Sequence, residues 1–195
     1  HIPKPKTAAP ERSSRALRSL LESRSVPDYG SKAFVLGKNA HAGVDGSVWL
    51  MNEKSDAALE FREEPGGGWR AKRHGNPVSV FHESSSKSKK LVVFANPFEF
   101  ALFKAQTRDH SLISANFLVF FSEADSDRKL NEFLALNTHV TEVHLAQSAK
   151  ADRRERERQT FHEVKRRLDP FNIEVKPLHL GSLGKDRGRG PDIGI

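Results

Sequence analysis

Cysteine is absent from the 195 residues. No disulfide, thiolate metal site or cysteine nucleophile is therefore available, and the absence fits a reducing compartment. No run of about 18 apolar residues occurs, so no membrane-spanning helix and no membrane partner are expected. No basic and apolar stretch with a small-residue cleavage site opens the chain, so no signal peptide is expected. The chain begins on His1 rather than methionine, which reads as a processed or excised piece. No Gly-x-Ser-x-Gly elbow supports hydrolase chemistry. The nine histidines lack zinc spacing. His139 and His144 are five apart, and His162-Glu163 has no second histidine four residues on, so surface or core roles are expected. The segment Gly181-Ser182-Leu183-Gly184-Lys185-Asp186 is too short for a phosphate loop. It also has Asp where Ser or Thr belongs, and reads as a flexible turn.

What the chain has in quantity is charge. Charged residues make up 29%, against 36% hydrophobic, and the formal net charge is +7. A core is affordable if the tails stay out of it. The charge is uneven: residues 1–30 and 31–90 each carry +3, residues 91–149 carry −3, and residues 150–195 carry +4. The middle is acidic and apolar, the ends basic. Basic surfaces attract polyanions, so DNA or RNA is the expected partner.

The pattern divides the chain into five segments. Residues 1–12 form a flexible basic tail rich in Pro, Lys and Ala. Residues 13–83 form a small α+β unit. Ser13 or Ser14 caps a helix with Ala16, Leu17, Leu20 and Leu21 on one face, stopped by Pro27. Short β-type runs follow (AFVLG, SVWLM, ALEF, PVSVF), separated by Gly-rich turns such as Gly66-Gly67-Gly68. Trp69 reads either as a core anchor of that unit or as a base-stacking ring. Residues 84–90 (SSSKSKK) form a polar linker. From Leu91 to about residue 180, apolar runs alternate with helical spacing. LVVFA (91–95) suits a strand buried on both faces. In Asn96-Pro97-Phe98-Glu99, Asn96 is a cap, Pro97 a first helical residue, and Glu99 reaches back to the cap. A strand within 112–121, a helix from Ser126 or Asp127, a strand at 140–146, a charged helix at about 150–168 and an edge strand at 173–178 with Pro177 complete the series. Residues 181–195 form a second flexible basic tail. The rhythm predicts an α/β fold with about four mostly parallel strands flanked by helices.

Ligands of such sheets bind beyond the carboxyl ends of the strands. The residues there are Ala95-Asn96-Pro97, Ser122 to Asp125, Ala146 to Lys150, and Leu178 to Gly181. On these residues the chain resembles a TOPRIM domain, in the version found in bacterial primases and primase-like proteins of plasmid mobilisation. The resemblance covers about 91–190. It implies a TOPRIM-like sheet and places a glutamate at the end of the first strand, an Asp-x-Asp at the end of the third and a Lys-Asp pair beyond the fourth. Here VVFANPFEF puts Ala95 at the glutamate position. EVHLAQSAKADR puts Gln147 and Ala149 at the two aspartate positions. Gly184-Lys185-Asp186 is similar to the late pair, but Arg187 and Gly188 follow it.

Such a site uses carboxylates because Mg²⁺ takes oxygen ligands and a glutamate handles the proton. Alanine does neither, and Gln147 offers only a neutral carbonyl. The resemblance therefore implies a non-catalytic, degenerate TOPRIM without cofactor, acting as a DNA-binding or scaffolding part of a bacterial, cytoplasmic replication or plasmid-mobilisation apparatus. Two alternatives stand beside it. One is a protein-interaction module that uses the vacated cleft. The other is an Mg²⁺-dependent nuclease or primase with displaced acids at Glu99, Glu123, Asp125 and Asp127. Against the second, Asp127 suits a helix start and Glu99 a cap.

The nucleic-acid candidates are Arg153, Arg154, Arg156 and Arg158, then Lys165 and Arg166, and in the tail Lys185, Arg187 and Arg189. A solvated helix explains part of this cluster, because Asp152–Arg156, Arg153–Glu157 and Glu163–Arg167 have i, i+4 spacing. Arg154–Arg158 is a like-charge pair. The tail reads either as a disordered end or as a nucleic-acid arm, and Lys4 and Lys6 read in the same way.

Overall fold

The computed structural model describes residues 2, 4–75, 80–83, 85, 87–121, 126–148 and 150–182, with the backbone alone at 80–83 and 182. Two sheets organise it. The first is an antiparallel meander of β1 (Ala40–Ala42), β2 (Val48–Met51), β3 (Ala57–Glu63) and β4 (Trp69–Gly75), paired in that order. The second has five strands in the order β5-β7-β6-β8-β9. These are β5 (Val80–Glu83), β6 (Lys90–Phe94), β7 (Asn116–Phe120), β8 (Glu142–Gln147) and β9 (Glu174–His179). The last four are mutually parallel, and β5 runs antiparallel to β7.

The apolar runs form strands because both faces of this sheet are covered. Leu91 to Phe94 and all of β7 are buried. α2 (Pro97–Gln106), followed by the short α3 (His110–Ile113), connects β6 to β7. α4 (Ser126–Leu136) connects β7 to β8, and α5 (Arg154–Leu168) connects β8 to β9. Alternating side chains feed two cores. Leu91, Val93, Leu118, Leu145 and Val175 meet Phe133 of α4 and Val164 and Leu168 of α5. On the opposite face, Val92, Phe94 and Phe117 meet Phe100 and Phe103 of α2.

That second core continues into the antiparallel sheet through Val48, Leu50 and Phe61, and into α1 (Pro10–Ser23) through Leu17, Leu20 and Leu21. A 3-10 helix (Asp28–Ala33) is wedged between α1 and α2. Gly30 is required there: a Cβ would stand 2.3 Å from Val26 Cγ1 and 3.0 Å from the Ala101 carbonyl oxygen.

Four sequence expectations are corrected. The opening segment does not hang free. Ile2 is buried and its N–H donates to Ser55 O at 2.9 Å, while the Val44 N–H donates to Lys6 O and the Ala8 N–H to Ala42 O. A lone isoleucine in a Pro- and Lys-rich stretch has no periodicity to announce this docking. α1 begins at Pro10, three residues before Ser13, because Pro suits the first turn of a helix. The run AFVLG makes no ladder strand: Ala33 closes the 3-10 helix and the Val35 N–H donates to Asn39 Oδ1. Val80 and Phe81, the end of the run PVSVF, belong to β5 of the second sheet, with Val80 opposite Phe120, although the sequence groups them with the first unit.

Part of the polar segment before β6 is anchored by Asn116, which is fully buried. Its Oδ1 accepts from the Ser85 N–H at 2.7 Å, and its Nδ2 donates to Ser88 O and Lys90 O at 3.0 and 2.9 Å. Asn116→Ala leaves one donor and two acceptors unpaired. The expected loss is about 2 kcal/mol in urea unfolding, and a loss under about 0.5 kcal/mol would show that the tie carries no stability.

Candidate functional site

Sheet order fixes where a ligand has room. β6 lies between β7 and β8. The helix leaving β6 covers one face of the sheet and the helix leaving β8 covers the other. Their connections part at the carboxyl ends of these neighbouring strands, which is where a crevice opens in such sheets. A cavity of about 280 Å³ lies there. Val93, Phe120 and Leu145 make its floor. Gln147, Arg153, Arg156, Glu157 and Thr160 make its polar and cationic walls, and Ala95 lines it beside them.

The first strand end is rigid. Asn96 Oδ1 accepts from the N–H groups of Phe98 and Glu99, both at 3.0 Å, and starts α2. Glu99 Oε2 accepts from the Ala95 N–H at 3.1 Å. This carboxylate therefore holds the turn, as a cap partner does. Asp127 lies 3.2 Å from Arg167 Nη1, tying α4 to α5. Glu123 and Asp125 lie outside the described residues, as does Ala149. Among the described residues, no group of three or more His, Asp or Glu is arranged to hold a metal ion.

The residues that are described do not fit a magnesium ion. Ala95 offers no ligand and Gln147 a neutral one, while two guanidinium groups share the cavity. A hard dication needs carboxylates, and nearby positive charge opposes it. Among the described residues of the wall the acid is Glu157, which accepts the Ser148 N–H at 3.0 Å. It does not form the Arg153 pair suggested by its spacing.

α5 sorts the arginines. Its inward stripe is Phe161, Val164 and Leu168. Glu157 continues that stripe four residues before Phe161, and Arg153, the last residue of the 3-10 turn that leads into α5, stands four residues before Glu157. Arg153, Arg156 and Thr160 line the 280 Å³ cavity. Arg154, Arg158 and His162 instead line a neighbouring groove of about 600 Å³ with Ser148 and His179. The Ser148 Oγ is buried there without a hydrogen-bond partner among the described residues. Gln147 and Glu157 border both spaces.

Not every predicted cation is available. Arg158 donates to Glu155 through Nη2 at 2.9 Å and Nε at 3.2 Å. Hydrogen bonds and charge from Arg158 hold the Glu155 carboxyl below the usual glutamate range and raise Arg158 in return. Both side chains are exposed, so the pair itself adds little stability. Lys165 Nζ is 3.6 Å from Asp169. Arg153, Arg154 and Arg166 are exposed and make no ion pair among the described residues. Lys165 and Arg166 lie further along α5, beyond both spaces. Lys185, Arg187 and Arg189 fall outside the described residues.

The cavity residues missed in the sequence are Val93, Phe120, Ser126, Leu145, Glu157 and Thr160. The spacing of Arg153, Arg156 and Thr160 was a usable signal for one of them. No helix among the described residues is long and apolar enough to cross a membrane. Comparison with known protein families, curated proteins and solved structures finds no match to this chain.

Proposed function

We propose that the chain is a non-catalytic, TOPRIM-like nucleic-acid-binding domain of a replication or plasmid-mobilisation apparatus. One observation carries the reading. The crevice at the strand ends, where a metal-dependent enzyme would collect acids, holds Ala95, Gln147 and the cations Arg153 and Arg156. Loss of carboxylates removes the means to hold magnesium, and gain of guanidinium groups supplies partners for phosphate oxygens. The +4 charge of residues 150–195 supports the same partner at longer range.

A salt series on the full chain tests this. Binding to labelled duplex DNA should be equal in EDTA and in Mg²⁺. Its affinity should fall with salt at a slope of about −0.9 per phosphate contact. Binding that is absent or independent of salt would favour a protein partner in the cleft. Mg²⁺-dependent nicking or primer synthesis, abolished by Asp125→Ala, would refute the non-catalytic reading.

A further inference from the structure

We propose that the outer face of the antiparallel sheet is a second phosphate-contacting surface, built by Arg70 and Lys72 and fitted to a single strand of nucleic acid. The inference rests on the nucleic-acid reading above but uses the other sheet and no residue of α5.

Strand alternation defines the face. Val48, Leu50 and Phe61 point into the core. Their neighbours Trp49, Glu60 and Arg62 therefore point outward. In the β3–β4 register, Arg62 stands opposite Arg70, and Glu60 opposite Lys72. The opening segment covers only part of this face, where Ile2 packs on Met51 and Ala58. Beyond it, Arg62, Arg70 and Lys72 are exposed among the described residues. β4 is an edge strand, and all seven of its residues are exposed or half-buried.

This exposed part is positive. Glu60, Arg62, Arg70, Ala71 and Lys72 surround a depression of about 440 Å³. Glu60 is the only acid among them, and its side chain is 5% exposed. Its carboxylate is bonded by the Arg62 guanidinium and lies 2.6 Å from His74 Nε2. It offers little negative charge to the surface. Arg62 also reaches Asp45 at 3.1 Å. Arg70 and Lys72 have no ion pair among the described residues. Arg62 is therefore already compensated by two carboxylates, and the cations left for an outside anion are Arg70 and Lys72.

Spacing and chemistry select the anion. Residues two apart on a strand are about 6.7 Å apart along it, so Arg70 and Lys72 stand far enough apart for each to take a separate phosphate of one strand. At the border of the patch, Trp49 stacks on His74 with ring centroids 4.6 Å apart. Aromatic surface beside a cationic track is the combination that single strands use.

The test measures binding of labelled oligothymidylate to the full chain across a salt series. With Arg70→Gln and Lys72→Gln together, the slope should shrink by about 1.4, and affinity near 0.1 M salt should fall roughly 25-fold. The exchange of Arg70→Lys with Lys72→Arg should restore both, which separates lost charge from lost folding. An unchanged slope in the glutamine variant, with binding still lost when the α5 arginines are replaced, overturns this surface and leaves the α5 reading intact. No salt-dependent binding by the unaltered chain overturns both. Tighter, Arg70- and Lys72-dependent binding of poly-glutamate than of the oligonucleotide would make the occupant an acidic protein segment and also overturn it.

Discussion

Phe94→Ala is expected to destabilise the chain by about 3–5 kcal/mol. Phe94 is fully buried in β6, the central strand. Its ring lies 5.3, 5.2 and 6.3 Å from those of Phe100, Phe103 and Phe117. Alanine leaves a void that backbone from two rigid elements cannot close. For a chain of this size the melting temperature should drop by roughly 10 °C. The two tryptophans give a sharper readout. Trp49 and Trp69 both belong to the antiparallel sheet, while Phe94 belongs to the parallel one. If the core is continuous, tryptophan fluorescence and far-UV circular dichroism shift together. A fluorescence transition that stays in place while the helical signal moves would show two cores that merely touch.

Replacing Arg153, Arg154 and Arg156 together by glutamine is expected to give the largest functional loss. If each contacts one phosphate, the salt slope on duplex DNA falls by about 2.7, and affinity near 0.1 M salt falls roughly 500-fold. Folding should be spared, since all three are exposed and precede the buried stripe of α5. Lys165→Gln is the internal control. Its ammonium is already near Asp169, so it should change the slope by less than one contact. A triple variant that binds within threefold of the unaltered chain would remove α5 from the interface.

The parallel sheet was legible because strands covered on both faces are continuous apolar runs, as at Leu91–Phe94 and Phe117–Phe120. The cap at Asn96 was legible because its chemistry is local. β5 was not, since its pairing with β7 is a contact between distant segments that nothing in its own residues signals. The docking of Ile2 on Met51 and Ala58 escaped for the same reason. At the crevice, charge was legible but direction was not. Whether Arg153 faces the cavity and Arg154 the neighbouring groove depends on the phase of α5, which Val164 and Leu168 fix by packing on the sheet. The neutralisation of Arg158 by Glu155 was open to a spacing argument at i, i+3, a pairing that the i, i+4 spacings do not contain.

The shared core has a consequence for how such a gene can be rearranged. A crossover within codons 84–90, the point where the polar sequence invites one, would carry Val92, Phe94 and Phe117 away from the Leu20, Leu50 and Phe61 that shield them. The incoming half would present a broad oily surface to water and associate with whatever it met. Only a donor bringing a matching counterface yields a usable recombinant, so the two sheets are expected to be inherited as one block.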